Sequence, residues 1–345
     1  MRRQIIWSLA IVVILMAALA GYVLKQHSYK MTEQRIELET AEGKLTGILA
    51  LPKHREGRVG LVLFVHGDGP IDASHDDGYR PLWERLAVRG YASLSLDKRG
   101  IGGSEGDWLE QTMDDRAEEA RQALAWARQQ PEIDPDRIGV WGASQAGWVI
   151  PKLAEEERLA FSILVSPAIN WLTQGQYHTR SHMAKQGASE TEIKGRLREQ
   201  TRVVELLRKG ATYETYVAQT PESEPMSRER WAFVAANYSA DATEELAHFD
   251  TPVLLLLGED DTHVNVEETE AVYRERIAPD LLTVELLPDT EHSMLRTSVA
   301  DSWWRGLAIS LFAPRQITAA AYMERIDAFL TMLEQRGESL AAGGQ

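Results

Sequence analysis

Apolar residues recur along this chain in two registers that alternate with each other. Short runs of strand length, apolar almost throughout, occupy residues 60–66 (GLVLFVH), 91–97, 137–141, 161–166, 251–258 (TPVLLLLG) and 281–287. Between them, residues 79–89 and 110–130 carry apolar or small residues on one helical face and polar residues on the other. Strands apolar on both faces and separated by amphipathic helices imply βαβ units and a mostly parallel sheet. Ahead of them, residues 35–40 and 44–52 alternate as a β-hairpin turning at Glu42-Gly43. A last amphipathic helix is expected over residues 317–335, with a frayed tail from 337. The alternation stops from 170 to 247, where the chain is polar, helical in pattern and broken at Gly187, Gly210 and Pro221-Glu222-Ser223-Glu224-Pro225. These patterns predict one sheet domain over 33–169 and 248–337, interrupted by a helical cap over 170–247.

The first 26 residues follow a different pattern. Arg2 and Arg3 precede a run from 5 to 24 that is apolar apart from Ser8, with no charge before Lys25. A bilayer core takes about 20 apolar residues to cross, and basic residues ahead of a span hold that end in the cytoplasm. A single-pass anchor with the remaining chain outside the cytoplasm is therefore expected. Ala18-Leu19-Ala20 also fits a signal-peptidase site, which leaves secretion after cleavage as the alternative.

Residues 137–147, RIGVWGASQAG, place a serine where a strand gives way to a helix expected over 145–154. So sharp a turn needs small residues two positions either side of the serine, and Gly142 and Ala146 meet that need. This is the pattern of a nucleophile elbow, which lifts the Ser144 hydroxyl above the sheet. Gly102-Gly103-Ser104-Glu105-Gly106 matches G-x-S-x-G letter for letter, yet no apolar helix begins behind it. Ser104 therefore reads as a loop residue.

A serine hydroxyl needs a base to become nucleophilic, most often histidine. His292, in a loop after the last strand, is the candidate base. The strand ending at Gly258 runs into Glu259-Asp260-Asp261, and Asp261 is the expected carboxylate partner, with Asp260 the alternative. The order Ser144, Asp261, His292 is that of a triad carried on a sheet of this kind. Oxyanion donors are expected from the backbone N–H of Gln145 and of Asp68, within His66-Gly67-Asp68-Gly69-Pro70. The Asp68 carboxylate should turn away from a developing anion and hold the loop, with Arg99 as its expected partner. His66 reads as a brace for that loop.

Composition removes other chemistries. A formal charge of −15 over 345 residues argues against a nucleic-acid surface, and the absence of cysteine excludes thiol nucleophiles, disulfides and zinc–thiolate sites. Glu105 stands where a dinucleotide fingerprint beginning at Gly100 needs glycine, and no cofactor is expected. His178 and His182 are four residues apart, but no third ligand is apparent, so they read as a polar helix face and no metal is expected. Trp303-Trp304 reads as core, or as a pocket wall beside the histidine loop. Trp171, Trp231 and Tyr238 are further pocket candidates, and the basic residues of 194–202 read as a solvated face.

Taken together, His66 to Pro70 (HG-x-GP), Asp97 to Ser104 (DKRG-x-G-x-S) and Gly142 to Gly147 (GxSxxG) resemble the α/β-hydrolase superfamily, in particular its bacterial serine esterases. The resemblance extends from about residue 35 to 335 and is weakest over the cap. It implies an eight-stranded sheet with a cap and cofactor-free hydrolysis of a small-molecule carboxylic ester through an acyl-enzyme, and the expected membrane anchor adds lipidic esters to the candidate substrates. Asp68 in place of the usual serine and Ala146 in place of glycine are departures that could narrow the acyl pocket. Thioesterase, serine peptidase and acyltransferase activities use the same triad and stay open, as does a non-catalytic scaffold. A peptidase would call on cap carboxylates such as Glu214, Glu222 and Glu224.

Overall fold

A computed structural model describes residues 2–220 and 225–343. Eight strands form one sheet: β1 (Met31–Leu38), β2 (Leu45–Pro52), β3 (Val59–Val65), β4 (Tyr91–Leu96), β5 (Ile133–Ala143), β6 (Ser162–Val165), β7 (Val253–Gly258) and β8 (Leu282–Leu287). The spatial order is β1-β2-β4-β3-β5-β6-β7-β8. The β1–β2 and β2–β4 pairings are antiparallel, and every other pairing is parallel. The expected hairpin, strands and mostly parallel sheet are all present.

The helices are α1 (Arg2–Gln26), α2 (Arg80–Val88), α3 (Met113–Arg128), α4 (Ile150–Glu156), α5 (Trp171–Lys185), α6 (Glu190–Arg208), α7 (Tyr213–Gln219), α8 (Arg228–Asn237), α9 (Val266–Arg276), α10 (Thr297–Ala300), α11 (Trp303–Phe312) and α12 (Ala320–Gly343). Helices α5 to α8 lie in the connection between β6 and β7, where the polar segment was expected to interrupt the sheet domain. The break at 221–225 falls outside the described residues except for Pro225, as do the last two positions of the tail. Its described part continues α12 to Gly343 instead of fraying.

Central strand β3 shows why the apolar runs are unbroken. Leu61, Leu63 and Val65 pack into one hydrophobic cluster with Ala117, Ala120 and Leu124 of α3. Val62 and Phe64 point the other way, into a second cluster with Trp83 of α2 and Ile326 and Phe329 of α12. With both faces covered, alternation has no solvent side to report.

Two boundaries differ from expectation. The helix expected over 145–154 is a 3₁₀ turn over Ser144–Trp148 followed by the short α4. Pro151 lies in the first turn of α4, where its missing N–H is tolerated, and it cannot extend a ladder back into the elbow. Helix α3 begins at Met113, later than its apolar pattern, because Thr112 and Asp115 form a capping box: Thr112 Oγ1 accepts from Asp115 N at 3.1 Å, and Asp115 Oδ2 accepts from Thr112 N at 2.7 Å.

Replacing Thr112 by alanine removes this cap. It should lower the unfolding free energy by about 1 kcal/mol, read as a shifted urea midpoint in tryptophan fluorescence; an unchanged midpoint would show that the cap is dispensable.

Candidate active site

Ser144 stands at the carboxyl end of β5 with φ 54°, in the left-handed region that a residue with a side chain seldom adopts. The turn closes so tightly that a Cβ added to Gly142 would lie 2.5 Å from Ile150 Cδ1 and 2.6 Å from Ala146 Cβ. The small residues on either side of the serine are thus sterically required. Ser104 has a different environment. It is buried, its Oγ donating to Asp97 O at 2.8 Å and accepting from Thr46 N at 2.9 Å, and it ties the loop after β4 to β2.

The loop after β3 lies against the elbow: a Cβ on Gly67 would stand 3.4 Å from the Ser144 Cβ. His66 braces this loop. Its Nε2 donates to Leu96 O at 2.6 Å and its Nδ1 accepts from the Tyr79 hydroxyl at 3.2 Å, so these partners assign a neutral ring. Burial pushes the ring's pKa down to about 3, the charges of Lys98 and Arg116 adding to the effect. Lys98 Nζ donates to Gly67 O at 2.6 Å and sits 5.0 Å from the Trp108 ring centroid. Burial and the nearby Arg116 hold this amine well below its ordinary range.

His292 and Asp261 meet as expected. His292 Nδ1 donates to Asp261 Oδ2 at 2.8 Å, which leaves Nε2 as the ring's proton acceptor. Asp261 Oδ1 accepts from His263 N at 2.7 Å and Val264 N at 3.0 Å. Burial pushes this carboxyl up, but the His292 bond and charge and the Val264 N–H outweigh it, and the group stays below its ordinary value. Asp260 points elsewhere and accepts from Thr297 Oγ1 at the start of α10. The acid and histidine loops touch through Gly258, where a Cβ would lie 2.5 Å from Thr290 O.

Asp68 is paired differently from expectation. Arg99 binds Glu119 and donates to Glu42 O at 2.8 Å, so it is committed to the β1–β2 turn and α3. The partner of Asp68 is Arg230 of α8, through Nη2–Oδ2 at 2.6 Å and Nη1–Oδ1 at 3.0 Å. Gln145 Nε2 also donates to Asp68 Oδ1 at 3.1 Å, while Gln145 Oε1 accepts from buried Arg116. A chain of alternating polarity, Arg116–Gln145–Asp68–Arg230, thereby links the two expected oxyanion residues through their side chains. Arg116 also donates to His66 O at 2.6 Å, and burial lowers its pKa to about 10, which keeps it charged at neutral pH.

Helix α5 clamps the acid loop. The Tyr177 hydroxyl donates to Asp261 O at 3.0 Å, Ser181 Oγ to Thr262 O at 2.6 Å, and His178 Nδ1 to Thr262 O at 3.1 Å. The His178 ring stacks on His263 with centroids 4.4 Å apart, and His263 stacks on His292 at 4.5 Å. His178 is therefore part of the packing around the His292–Asp261 pair, not of a free polar face, while His182 Nε2 meets Gln186 Nε2 at 2.8 Å. Among the described residues no cluster of three side chains could hold a metal.

A cavity of about 420 Å³ opens among α5 to α8, lined by Trp171, Val203, Leu207, Met226, Val234 and Tyr238 among others. None of Ser144, Asp261 and His292 lines it. Trp231 instead stacks on Tyr216 with centroids 4.3 Å apart. Trp303 and Trp304 are neither core nor pocket wall, being 69% and 72% exposed.

Comparison with known proteins identifies the family and the fold. Residues 57–298 match the family model described as serine aminopeptidase, S33 (Hydrolase_4). The chain belongs to this family of α/β hydrolases. Among curated relatives, it is 39% identical over 87 residues to the quorum-quenching protein AidA of Acinetobacter baumannii, covering 24% of this chain and 28% of that one. It is 30% identical over 163 residues to the uncharacterized protein MT2364 of Mycobacterium tuberculosis, covering 46% and 54%. The chain thus spans between about a quarter and a half of the length of these relatives. Among solved structures, the fold is similar to esterase Pf2001 of Pyrococcus furiosus, with TM-score 0.56, 20% identity and 88% and 91% coverage. It is also similar to Est1E of Butyrivibrio proteoclasticus, with TM-score 0.54, 17% identity and 88% and 99% coverage.

His66 makes acid stability testable. Unfolded, its imidazole takes up a proton near 6.5, whereas folded it does so only near 3. Between those values the unfolded state holds the extra proton, so stability is full above about pH 6.5 and falls as pH drops. Between pH 6 and 5 the slope owed to His66 approaches about 1.4 kcal/mol per pH unit. The His66→Gln variant should therefore lose stability less steeply over that interval, whatever its stability at pH 8; parallel slopes would refute the assignment.

Proposed function

We propose that the protein is a membrane-anchored serine esterase whose sheet domain bears the triad Ser144, His292 and Asp261 beneath a cap formed by residues 170–247. The observation that carries this reading is the conjunction of a serine held at φ 54° with a histidine whose Nδ1 is committed to a buried carboxylate. Ser144 Oγ attacks the ester carbonyl and its proton passes to His292 Nε2. Asp261 holds the ring in the required tautomer and stabilises the imidazolium that forms. The backbone N–H groups of Asp68 and Gln145 take the developing oxyanion, the first positioned by the Gly67 loop and the second by the elbow. Collapse of the tetrahedral intermediate expels the alcohol, which receives the proton from His292. Water, activated by the same base, then releases the acid.

Arg230 resolves the presence of a carboxylate beside an anion site. Paired bidentately, Asp68 is neutralised, and its charge anchors the cap instead of opposing the oxyanion. The α1 segment supports the anchored reading: Arg3–Gln26 is helical, with mean hydropathy 2.4 and no part buried.

Peptide hydrolysis is the second reading, because the family carries an aminopeptidase description. An α-ammonium group needs an available carboxylate, and two candidates near the cap are committed: Glu214 to Arg228 at 2.6 Å and Asp68 to Arg230. Glu222 and Glu224 lie outside the described residues.

Turnover of p-nitrophenyl esters from acetate to palmitate should fall by about 10⁴ or more in Ser144→Ala and by about 10⁴ in kcat in Asp261→Asn. Ser104→Ala should lower thermal stability while keeping turnover and fluorophosphonate labelling. Full labelling of Ser144→Ala would overturn the nucleophile, and preferred cleavage of aminoacyl anilides would favour the peptidase.

The Arg230–Asp68 pair gives a separate expectation. Arg230→Ala leaves a carboxylate uncompensated near the oxyanion and should lower kcat roughly tenfold, the about 1–2 kcal/mol of a nearby unit charge at a partly solvated site. Adding Asp68→Asn to that variant should restore most of the loss; an equal or larger loss in the double variant would place the role of Arg230 elsewhere.

A further inference from the structure

Helix α11 has the sequence WWRGLAISLF and contains no buried residue. Trp303, Trp304, Leu311 and Phe312 are 69%, 72%, 53% and 47% exposed, and Leu307 is 37% exposed. The two indoles pack on each other, centroids 4.4 Å apart and edge to face. Arg305 is the helix's one charge. A core helix of this composition would bury a face, and an exposed apolar patch of this kind marks an interaction surface. Ten residues of helix measure about 15 Å, half of what a bilayer crossing requires.

The position of α11 identifies its partner. It packs against the carboxyl-terminal end of α1, where His27 Nε2 donates to Leu311 O at 2.9 Å. Arg315, three residues beyond α11, donates to Lys25 O at 2.6 Å and to Ser28 O at 2.8 Å, bonds Gln26 O, and pairs with Glu84 of α2 at 2.8 Å. Gln316 Nε2 donates to the Tyr22 hydroxyl at 3.4 Å. The exposed apolar helix is therefore fastened at the level where α1 would leave the hydrocarbon. Tryptophan favours that depth, and short helices rich in apolar side chains lie there without crossing.

We propose that α11 is a second membrane contact, lying in the headgroup region of the bilayer that α1 crosses, with lipid as its partner. This rests on reading α1 as the anchor. Because α11 begins eleven residues after His292, and Asp301 at its approach pairs with Lys185 of cap helix α5 at 2.7 Å, the contact sets the orientation of the active site to the lipid surface.

The absence of native cysteine makes the test direct. Full-length protein carrying a single cysteine at Leu15→Cys, Trp304→Cys, Leu311→Cys or Ala125→Cys is labelled with an NBD fluorophore. Each is reconstituted in phosphatidylcholine–phosphatidylglycerol vesicles containing shallow or deep doxyl-labelled lipid. Ala125 is exposed on α3, against the opposite face of the sheet. Probes at 304 and 311 should be blue-shifted and quenched chiefly by the shallow label, the probe at 15 by the deep label, and the probe at 125 by neither. Quenching at 15 with 304 and 311 behaving like 125 would overturn the proposal and leave the anchor intact. No quenching at 15 would remove the anchor reading, while quenching retained at 304 and 311 would still uphold lipid contact by α11. Unquenched probes together with a disulfide-linked dimer of Trp304→Cys would identify a second copy of the chain as the occupant and overturn lipid.

Discussion

The fold converges on one steric constraint, the closeness of the backbone around Ser144. The left-handed turn brings Gly142 against Ala146 and Ile150, and brings the loop at Gly67 to the Ser144 Cβ. That closeness sets the loop after β3 directly against the serine at the end of β5. It needs the parallel sheet behind it, because β5 lies between β3 and β6 and carries the elbow at the carboxyl edge, where loops gather. Removing the close approach would part the loop after β3 from the elbow.

Charge alternation extends that focus outward. Arg116, on the buried face of α3, meets the Gln145 carbonyl; the Gln145 amide meets Asp68; and Asp68 meets Arg230 on the insertion. Each member satisfies the polarity of the next, which is how a buried guanidinium and a carboxylate are held beside the elbow. Tyr177, His178 and Ser181 perform the matching task on the other side, holding the backbone of Asp261 and Thr262. The helical insertion thus contacts both sides of the elbow's surroundings, the loop after β3 through α8 and the loop after β7 through α5.

The strands and the His292–Asp261 contact are legible in the sequence because they rest on local signals: apolar runs of strand length, and carboxylate and histidine directly after consecutive strands; the tight turn at Ser144 is legible from a serine between small residues. Arg116 is legible in retrospect, since it falls in the apolar phase of α3 with Met113, Ala117 and Ala120. The Asp68–Arg230 pair is not, because it joins residues 162 apart and several arginines have equal claim; Arg99 is the nearer one in sequence, yet it is taken by Glu119. Trp303-Trp304 fails for a different reason. Composition is the same for a core helix and an exposed one, and only the exposure of Trp303 and Trp304 in the folded chain distinguishes them. The split at Val149 turns on Pro151, whose effect on where a helix starts depends on the tertiary turn ahead of it.

The junction between α1 and the sheet domain has a consequence for reach. Four residues, His27 to Lys30, separate α1 from β1, a span of about 14 Å even when fully extended, and Arg315 binds carbonyls at the end of α1 and within that junction. On the proposed anchored reading, Ser144 does not sweep a wide volume on a loose leash. Its working zone would then be a layer about one domain thick along the bilayer, and encounter rates would scale with what is present per unit area of membrane. A substrate held farther from the surface would stay beyond reach, whatever its fit to the site.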